Sequence, residues 1–134
     1  MADDQEELVT GEGPTKKTVL LVEDDASNGM FFEQVISQET PYLTRLAITG
    51  SEALVIVKEI KPDLFILDYR LHDMNGVELY DLLHEMKGLE DIPAIIMSAS
   101  LDQHAYEIEQ RHLIGIGKPI ELDIFIAMIE RVIT

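Results

Sequence analysis

Short apolar runs alternate with segments of helical spacing along most of this sequence, and this alternation limits the possible folds more than any other feature. Four of the runs read, in chain order, TVLLVE, LFILD, IPAIIMS and LIGIG. Because they are apolar and rich in β-branched residues, they predict strands that are buried on both faces. A further strand, YLTRLAIT, is predicted between the first two helices, with Arg45 as an outward break. Apolar residues in the intervening segments recur three and four positions apart, which predicts helices.

Five alternations of strand and helix predict one α/β domain, because a parallel sheet of this kind is covered by helices on both faces. We predict a doubly wound, flavodoxin-like (βα)5 fold with a five-stranded parallel sheet in the order 2-1-3-4-5. The domain is placed at residues 18–134. The polar, glycine-punctuated residues 1–17 predict a disordered acidic leader.

The chain is strongly acidic, with 26 Asp and Glu residues against 10 Lys and Arg residues and a formal net charge of −16. Such a body repels phosphate backbones and anionic lipids, so we expect no direct binding to nucleic acid or membrane. The sequence has no cysteine, no apolar stretch near the roughly 20 residues that span a bilayer, and no secretory signal pattern at its start. We therefore expect a cytoplasmic protein.

Polar side chains stand where four of the predicted strands end. Glu23 and Asp24 follow the first strand, Asp68 ends the third, Ser98 ends the fourth, and the fifth runs into Lys118. In an open parallel sheet, ligands bind beyond the carboxyl ends of the strands. With the predicted strand order, these side chains lie in one row at one edge of the sheet and form a single candidate site.

The residue types at this edge predict a site for a metal ion and a phosphate group. Neighbouring carboxylates repel one another, so the acids either raise a pKa or bind a cation. A few hard oxygen ligands suit Mg²⁺, which is commonly held together with phosphate oxygens. Lys118 and the Ser98 hydroxyl are suited to contact those oxygens. Asp68 is central in the row, and its carboxylate is a candidate nucleophile that would form an aspartyl phosphate.

Four separated motifs resemble the receiver domain of two-component response regulators, and the single-domain, chemotaxis-regulator-like type in particular. In chain order they read VLLVEDD, ILDYRLHDMNGVEL, IIMSAS and GKP. The likeness runs from about Thr18 to the end of the sequence. It implies a phosphorylation switch that takes its phosphoryl group from a histidine kinase or a phosphotransfer protein and acts on protein partners.

The resemblance also implies roles for individual residues. Asp24 would be a direct Mg²⁺ ligand paired with Glu23, Asp68 would accept the phosphoryl group from a phosphohistidine, and the backbone carbonyl of Arg70 would complete the metal ligands. Ser98 would be the switch hydroxyl, with Ala99 as the small neighbour that leaves access to the phosphoryl group. Lys118 would bind the phosphate, before a cis bond to Pro119. Such a protein is not a conventional enzyme, although it catalyses its own phosphorylation and dephosphorylation.

Two positions depart from the family pattern. Receivers usually have Phe or Tyr three residues before the lysine, where this chain has Gly115, and they usually have proline where it has His72. No output domain follows the fifth helix, so the sequence is either a stand-alone receiver or a fragment of a longer protein. The last helix is apolar around more of its circumference than one buried stripe requires, which predicts dimerisation or target docking through the fourth helix, fifth strand and fifth helix.

Three other functions fit the sequence less well than the receiver does. A haloacid-dehalogenase-type phosphatase needs a second Asp two residues after the nucleophile, where this chain has Arg70. A nucleotide or flavin binder of the same fold would normally have a Gly/Ser/Thr-rich loop after the first strand, where this chain has EDDASNG. A pseudo-receiver, which binds partners without phosphotransfer, is supported by Gly115 alone.

Several polar residues have simpler structural interpretations. Asp25, Ser51 and Ser100 are predicted helix caps. The histidines, which are His72, His84, His104 and His112, are predicted surface residues. Tyr106 is predicted to pack or to form an interface.

Overall fold

The computed structural model describes residues 16–133, so the predicted leader lies outside the described residues apart from Lys16 and Lys17. Within the described part, the strands are β1 (Thr18–Val22), β2 (Leu43–Ala47), β3 (Leu64–Asp68), β4 (Ala94–Ser98) and β5 (Ile114–Gly117). The helices are α1 (Ala26–Glu39), α2 (Gly50–Ile56), α3 (Gly76–His84), α4 (Ala105–Gln110) and α5 (Leu122–Ile133). A 3-10 turn at Leu101–His104 leads into α4.

The strands form one parallel sheet in the order β2-β1-β3-β4-β5, which confirms the predicted topology. The register pairs Val22 with Leu67, and Asp68 with Met97, so the carboxyl ends of the central strands are level. Every residue of β3 and β4 is buried, as their continuously apolar sequences predict. The edge strand β2 instead alternates between exposed and partly buried residues, and Arg45 faces solvent as predicted.

Helices cover both faces of the sheet and form two hydrophobic layers. One layer packs α1 and α5 against the sheet, with the Phe32 and Phe125 ring centroids 5.3 Å apart. The other layer packs α2, α3 and α4 against the opposite face. No helix within residues 16–133 is long and apolar enough to cross a membrane.

Cap positions were predicted with mixed success. Asp25 caps α1, since its side chain accepts a hydrogen bond from the backbone N–H of Asn28 at 3.0 Å. The prediction for Ser51 was wrong, because Ser51 lies inside the first turn of α2. Thr49 caps that helix by accepting a hydrogen bond from the backbone N–H of Glu52 at 3.0 Å.

The apolar surplus of α5 is smaller in the structure than its sequence suggests. Phe125 is fully buried, and most of the other large apolar residues of the helix are buried or partly buried against the core. Leu122 and Ile124 remain exposed, as does Tyr106 on α4, so of the two roles predicted for Tyr106 packing is wrong and an interface stays a prediction. These exposed side chains are available to a partner, and docking at this face stays a prediction.

Candidate functional site

Asp68 is the last residue of β3, and the lysine that follows β5 contacts its carboxylate. Lys118 Nζ lies 3.0 Å from Asp68 Oδ1 and 3.5 Å from Glu23 Oε1. Glu23 and Asp68 are only 1% and 5% exposed. The parallel register brings the ends of β1 and β3 side by side, so one ammonium group lies close to two buried carboxylates.

Three carboxylates form a cluster with the chemistry of a metal site. Glu23, Asp24 and Asp68 each offer an oxygen atom, and these atoms all lie within 4.8 Å of one another. The donors are hard oxygens, two of the three residues are buried, and the cluster borders an open cleft. Such a donor set fits Mg²⁺, which takes one or two carboxylates and keeps several waters. Arg70 lines the same cleft, and the ligand role of its carbonyl stays a prediction.

The electrostatics of the cluster reflect its burial. The pKa of Glu23 is raised to about 7, first by burial and then by the negative charge of Asp68, against the opposing effects of the Asp25 backbone N–H and of Lys118. Burial alone would lower the pKa of Lys118. The hydrogen bond to Asp68 and the charges of Asp68 and Glu23 outweigh it together, so the pKa of Lys118 is raised. The site has three carboxylates and one ammonium group, and this excess of acidic groups favours binding of a cation.

The cleft above these groups has a volume of about 260 Å³. Since a water molecule occupies roughly 30 Å³ in the liquid, the cleft has room for a phosphoryl group, a metal ion and waters. Its lining includes all the strand-end residues predicted from the sequence. The full set is Glu23, Asp24, Asp25, Asn28, Asp68, Tyr69, Arg70, Ser98, Ala99, Ser100, His104 and Lys118.

Ser98 ends β4 beside the cleft and is 4% exposed. Its hydroxyl accepts a hydrogen bond from the backbone N–H of Ser100 at 3.0 Å, and its carbonyl accepts one from the Lys118 N–H at 2.9 Å. The predicted cis bond between Lys118 and Pro119 is present. Ser100 stands at the N-cap position of the 3-10 turn as predicted, although its side chain makes no cap hydrogen bond there.

The loop after β3 is held by a glycine and an aspartate. A Cβ atom on Gly76 would lie 2.5 Å from the backbone oxygen of Asp68, so a side chain there would push the loop away from the site. Asp73 accepts hydrogen bonds from the backbone N–H groups of Gly50 and Ser51, both at 2.9 Å, and from the Ser51 hydroxyl at 2.7 Å. These bonds lower the pKa of Asp73. Sequence reasoning missed this anchor, which ties the loop to α2.

The exposed His72 of this loop lies at the rim of the site. Its Nε2 atom is 3.6 Å from Asp24 Oδ2, a weak ion pair when the ring is protonated. The prediction of a surface position was therefore right for His72. It was right as well for His84 and His112, which are both exposed.

Gly115 lies on β5 under the 3-10 turn. A Cβ atom at this position would lie 2.6 Å from Leu101 Cδ1. The side chain of Leu101 thus fills the space that a side chain at residue 115 would occupy. A larger side chain at 115 would require Leu101 to move.

Sequence reasoning also missed a group of contacts formed by Tyr69, His104 and Glu107. The Tyr69 and His104 rings stack with centroids 3.5 Å apart and planes at 15°, and the Tyr69 hydroxyl donates a hydrogen bond to Glu107 Oε1 at 3.0 Å. Burial, and then this hydrogen bond, raises the pKa of Tyr69. The predicted surface position was wrong for His104, whose side chain is 18% exposed because Tyr69 covers it. The only sequence signal was the tyrosine directly after Asp68.

Comparison with known proteins identifies relatives of this arrangement. Residues 19–130 match the family model of the response regulator receiver domain. The chain is 31% identical to the DNA-binding transcriptional regulator NtrC of Proteus hauseri, over 89% of this chain and 25% of that protein. It is also 31% identical to the chemotaxis protein CheY of Thermotoga maritima, over 69% of this chain and 75% of that protein.

Solved structures show the same fold. The non-phosphorylated HemR receiver domain of Leptospira biflexa matches with a TM-score of 0.80 at 31% identity, covering 89% of this chain and 95% of that one. The chemotaxis protein CheY4 of Vibrio cholerae matches with a TM-score of 0.81 at 20% identity, covering 88% and 99%. Some curated relatives are much longer: the chain spans 25% of NtrC and 12% of the histidine-protein kinase BarA of Escherichia coli.

Proposed function

The chain belongs to the response regulator receiver domain family, and we propose that it accepts a phosphoryl group on Asp68 in an Mg²⁺-dependent reaction. The donor would be the phosphohistidine of a histidine kinase or of a phosphotransfer protein. The observation that carries this proposal is the buried Asp68 carboxylate, 3.0 Å from Lys118 Nζ and clustered with Glu23 and Asp24 beside an open cleft. That arrangement has a nucleophile, a phosphate-binding cation and hard metal ligands in one place.

In the proposed reaction, an oxygen of the Asp68 carboxylate attacks phosphorus. An O–P bond forms, the P–N bond of the phosphohistidine breaks, and its electron pair stays on the imidazole nitrogen. Lys118 holds the carboxylate and attracts the incoming phosphoryl oxygens. When bound by Glu23, Asp24 and Asp68, Mg²⁺ would neutralise charge on those oxygens. In dephosphorylation, water attacks the same phosphorus atom, the bond from phosphorus to the Asp68 oxygen breaks, and inorganic phosphate leaves as the carboxylate is restored.

Ser98 is the proposed link from chemistry to response. Its hydroxyl has a hydrogen to donate, and phosphoryl oxygens are strong charged acceptors. We propose that phosphorylation is read by protein partners at the face formed by α4, β5 and α5, either by a target or by a second copy of the chain. The cytoplasmic location expected from the sequence stays a prediction.

Intact mass measurement after incubation with acetyl phosphate and Mg²⁺ tests the function. The wild type is expected to gain the mass of one phosphoryl group, and this gain should disappear in Asp68→Asn and on removal of divalent metal. Asp91→Asn is the matched control, because Asp91 is exposed and is not part of the cleft lining. Labelling that persists in Asp68→Asn would reject Asp68 as the acceptor, and labelling without divalent metal would reject the Mg²⁺ dependence.

The pseudo-receiver is the second candidate function, and Gly115 is the observation that favours it. With no side chain at this position, the usual aromatic partner of the switch hydroxyl is missing, while partner binding through the surface helices would be unaffected. The mass measurement separates the two functions. A pseudo-receiver takes up no phosphoryl group at any acetyl phosphate concentration.

A further inference from the structure

The stacked rings of Tyr69 and His104 form part of the wall of the cleft that holds Asp68. Tyr69 directly follows Asp68, so a group bonded to the Asp68 carboxylate changes the surroundings of the Tyr69 ring. His104 ends the 3-10 turn between β4 and α4. The stack is therefore a direct contact between the residue that follows Asp68 and the segment that leads into α4.

A carboxylate of α4 holds this pair of rings. The Tyr69 hydroxyl donates a hydrogen bond to Glu107 Oε1 at 3.0 Å, and His104 Nδ1 lies 3.6 Å from the same oxygen. Glu107 belongs to the first turn of α4. The helix is thus joined to the end of β3 by a hydrogen bond as well as by ring packing.

Residue 115 offers no alternative aromatic contact between β5 and the cleft. Gly115 has no side chain, and Leu101 fills the adjacent space so closely that even a Cβ atom would lie 2.6 Å from Leu101 Cδ1. Leu101 begins the turn that His104 ends. The turn is therefore packed on Gly115 of β5 at one end and on Tyr69, the residue directly after β3, at the other.

The start of this segment is also bonded to a residue that lines the cleft. The Ser98 hydroxyl accepts a hydrogen bond from the Ser100 N–H at 3.0 Å, directly before the turn. A phosphoryl oxygen on Asp68 is a strong acceptor for the Ser98 hydroxyl. Displacement of Ser98 Oγ toward the phosphoryl group would lengthen its bond from the Ser100 N–H, so each end of the segment has a contact that would depend on the state of Asp68.

We propose that the Tyr69–His104 stack couples phosphorylation of Asp68 to the position of α4, a role that residue 115 cannot fill in this chain. The inference rests on the proposed phosphorylation of Asp68. Tyr69 and His104 are positioning residues, because they act through the segment between β4 and α4. A contact transmits a change only if it differs between the two states, so the stack must be altered when Asp68 is modified. The exposed Tyr106 would then present the change to a partner.

Backbone amide NMR with and without Mg²⁺ and the phosphate mimic beryllofluoride tests this coupling. The α4 amide signals of the wild type are expected to shift on binding. In Tyr69→Leu and His104→Ala, these shifts should fall to half or less at saturation. The variant His104→Phe keeps an aromatic ring without the imidazole, and it should restore most of the response.

A second tyrosine–histidine pair supplies the matched control. His84 stacks on Tyr80 within α3, with centroids 5.3 Å apart and planes at 20°. Neither residue lines the cleft that holds Asp68. His84→Ala therefore removes a comparable ring contact away from Asp68, and it should leave the α4 shifts unchanged.

The fluorine signal of bound beryllofluoride reports occupancy independently of α4. If the wild type shows no bound signal, the proposed function itself is wrong. If the bound signal is present and both ring-removing variants keep the full α4 shifts, the coupling proposal is wrong. Should those variants lose the dispersed spectrum of a folded protein, Glu107→Gln tests the same link. It is expected to reduce the α4 shifts, and an undiminished response there would also overturn the proposal.

Discussion

Two clusters of charged side chains in this molecule have similar distances between their cations and anions, but they differ in the number of carboxylates for each cation. Between α3 and α4, Arg111 makes a two-pronged contact with Asp81, at 2.7 Å and 2.9 Å, so one cation meets one anion. At the end of the sheet, Lys118 lies 3.0 Å from Asp68 and 3.5 Å from Glu23, with Asp24 in the same cluster. One ammonium group there faces three carboxylates.

The two groups also differ in their exposure to solvent. The Arg111 and Asp81 side chains are 28% and 46% exposed, and water screens their attraction. The Glu23 and Asp68 side chains are only 2% and 6% exposed. Buried, unbalanced charge costs folding free energy, whereas the outer pair adds a little stability. We infer that the excess of negative charge serves binding of a cation and a phosphoryl group at the expense of stability.

Removal of the Lys118 side chain is expected to have the largest effect on stability and on the phosphorylation rate. Lys118→Met leaves two buried carboxylates without their cation, and the metal-free protein should lose about 4 kcal/mol of unfolding free energy near pH 8. Phosphorylation by acetyl phosphate should slow by at least ~100-fold. Urea unfolding in EDTA and the rate of mass gain measure the two effects.

Lys58→Met is the control, because Lys58 is an exposed lysine after α2. Its effect on stability should stay within about 0.5 kcal/mol. If Lys118→Met is no less stable than this control, Lys118 does not compensate the buried carboxylates, and the contrast between the two groups is lost.

The pH dependence of stability tests the charge imbalance at the Lys118 cluster while Lys118 itself is kept. The folded-state pKa of Glu23 is about 7 against an ordinary value of 4.5. Between these values the folded protein keeps a proton that the unfolded chain has lost, so stability should fall as pH rises through this window and level off above it. The total change is on the order of 3 kcal/mol in metal-free protein. The unfolding free energy of wild type and Glu23→Gln is measured from about pH 5 to about pH 8. If it falls by the same amount in both proteins, Glu23 is not the source of the pH dependence.

The site could be predicted from the sequence better than its surroundings. Glu23, Asp68 and Lys118 each stand at the end of an apolar run, and the rule that parallel strands end at one edge brings them together without further information. The stack of Tyr69 on His104 has no such signal, because the two residues are far apart in sequence and follow no shared period. It depends on the direction in which the 3-10 turn leaves β4, which tertiary packing decides.

Asp24 offers a way to reduce the charge imbalance while keeping the shape of the site. Asp24→Asn should raise the unfolding free energy of the metal-free protein by about 1 kcal/mol, because one of three neighbouring negative charges is removed. The variant also loses the 3.6 Å contact with the exposed His72, which is weak because water screens it. Added Mg²⁺ should raise the melting temperature of the wild type more than that of the variant.

Asp25→Asn is the matched control for Asp24, since it removes a neighbouring charge from the residue that caps α1. Asparagine is as good a cap as aspartate, so stability should change by less than about 0.5 kcal/mol. Equal stabilisation by both substitutions would indicate relief of the overall net charge. A lower melting temperature for Asp24→Asn in EDTA would contradict the clustered-carboxylate site.

The smallest effect is expected at the balanced pair. A double-mutant cycle with Asp81→Asn and Arg111→Gln should give a coupling free energy of up to about 1 kcal/mol, because the contact is two-pronged but partly exposed. The attraction is screened by salt, so the coupling should shrink between roughly 0.1 M and 1 M NaCl. Arg111 also donates a hydrogen bond to the Glu107 carbonyl at 2.9 Å, which the cycle cancels because Asp81→Asn leaves it in place. A coupling free energy of several kcal/mol that salt does not change would mean that this surface pair stabilises the fold as strongly as a buried one. The comparison of this pair with the cluster at Lys118 would then no longer support a functional interpretation of the charge imbalance.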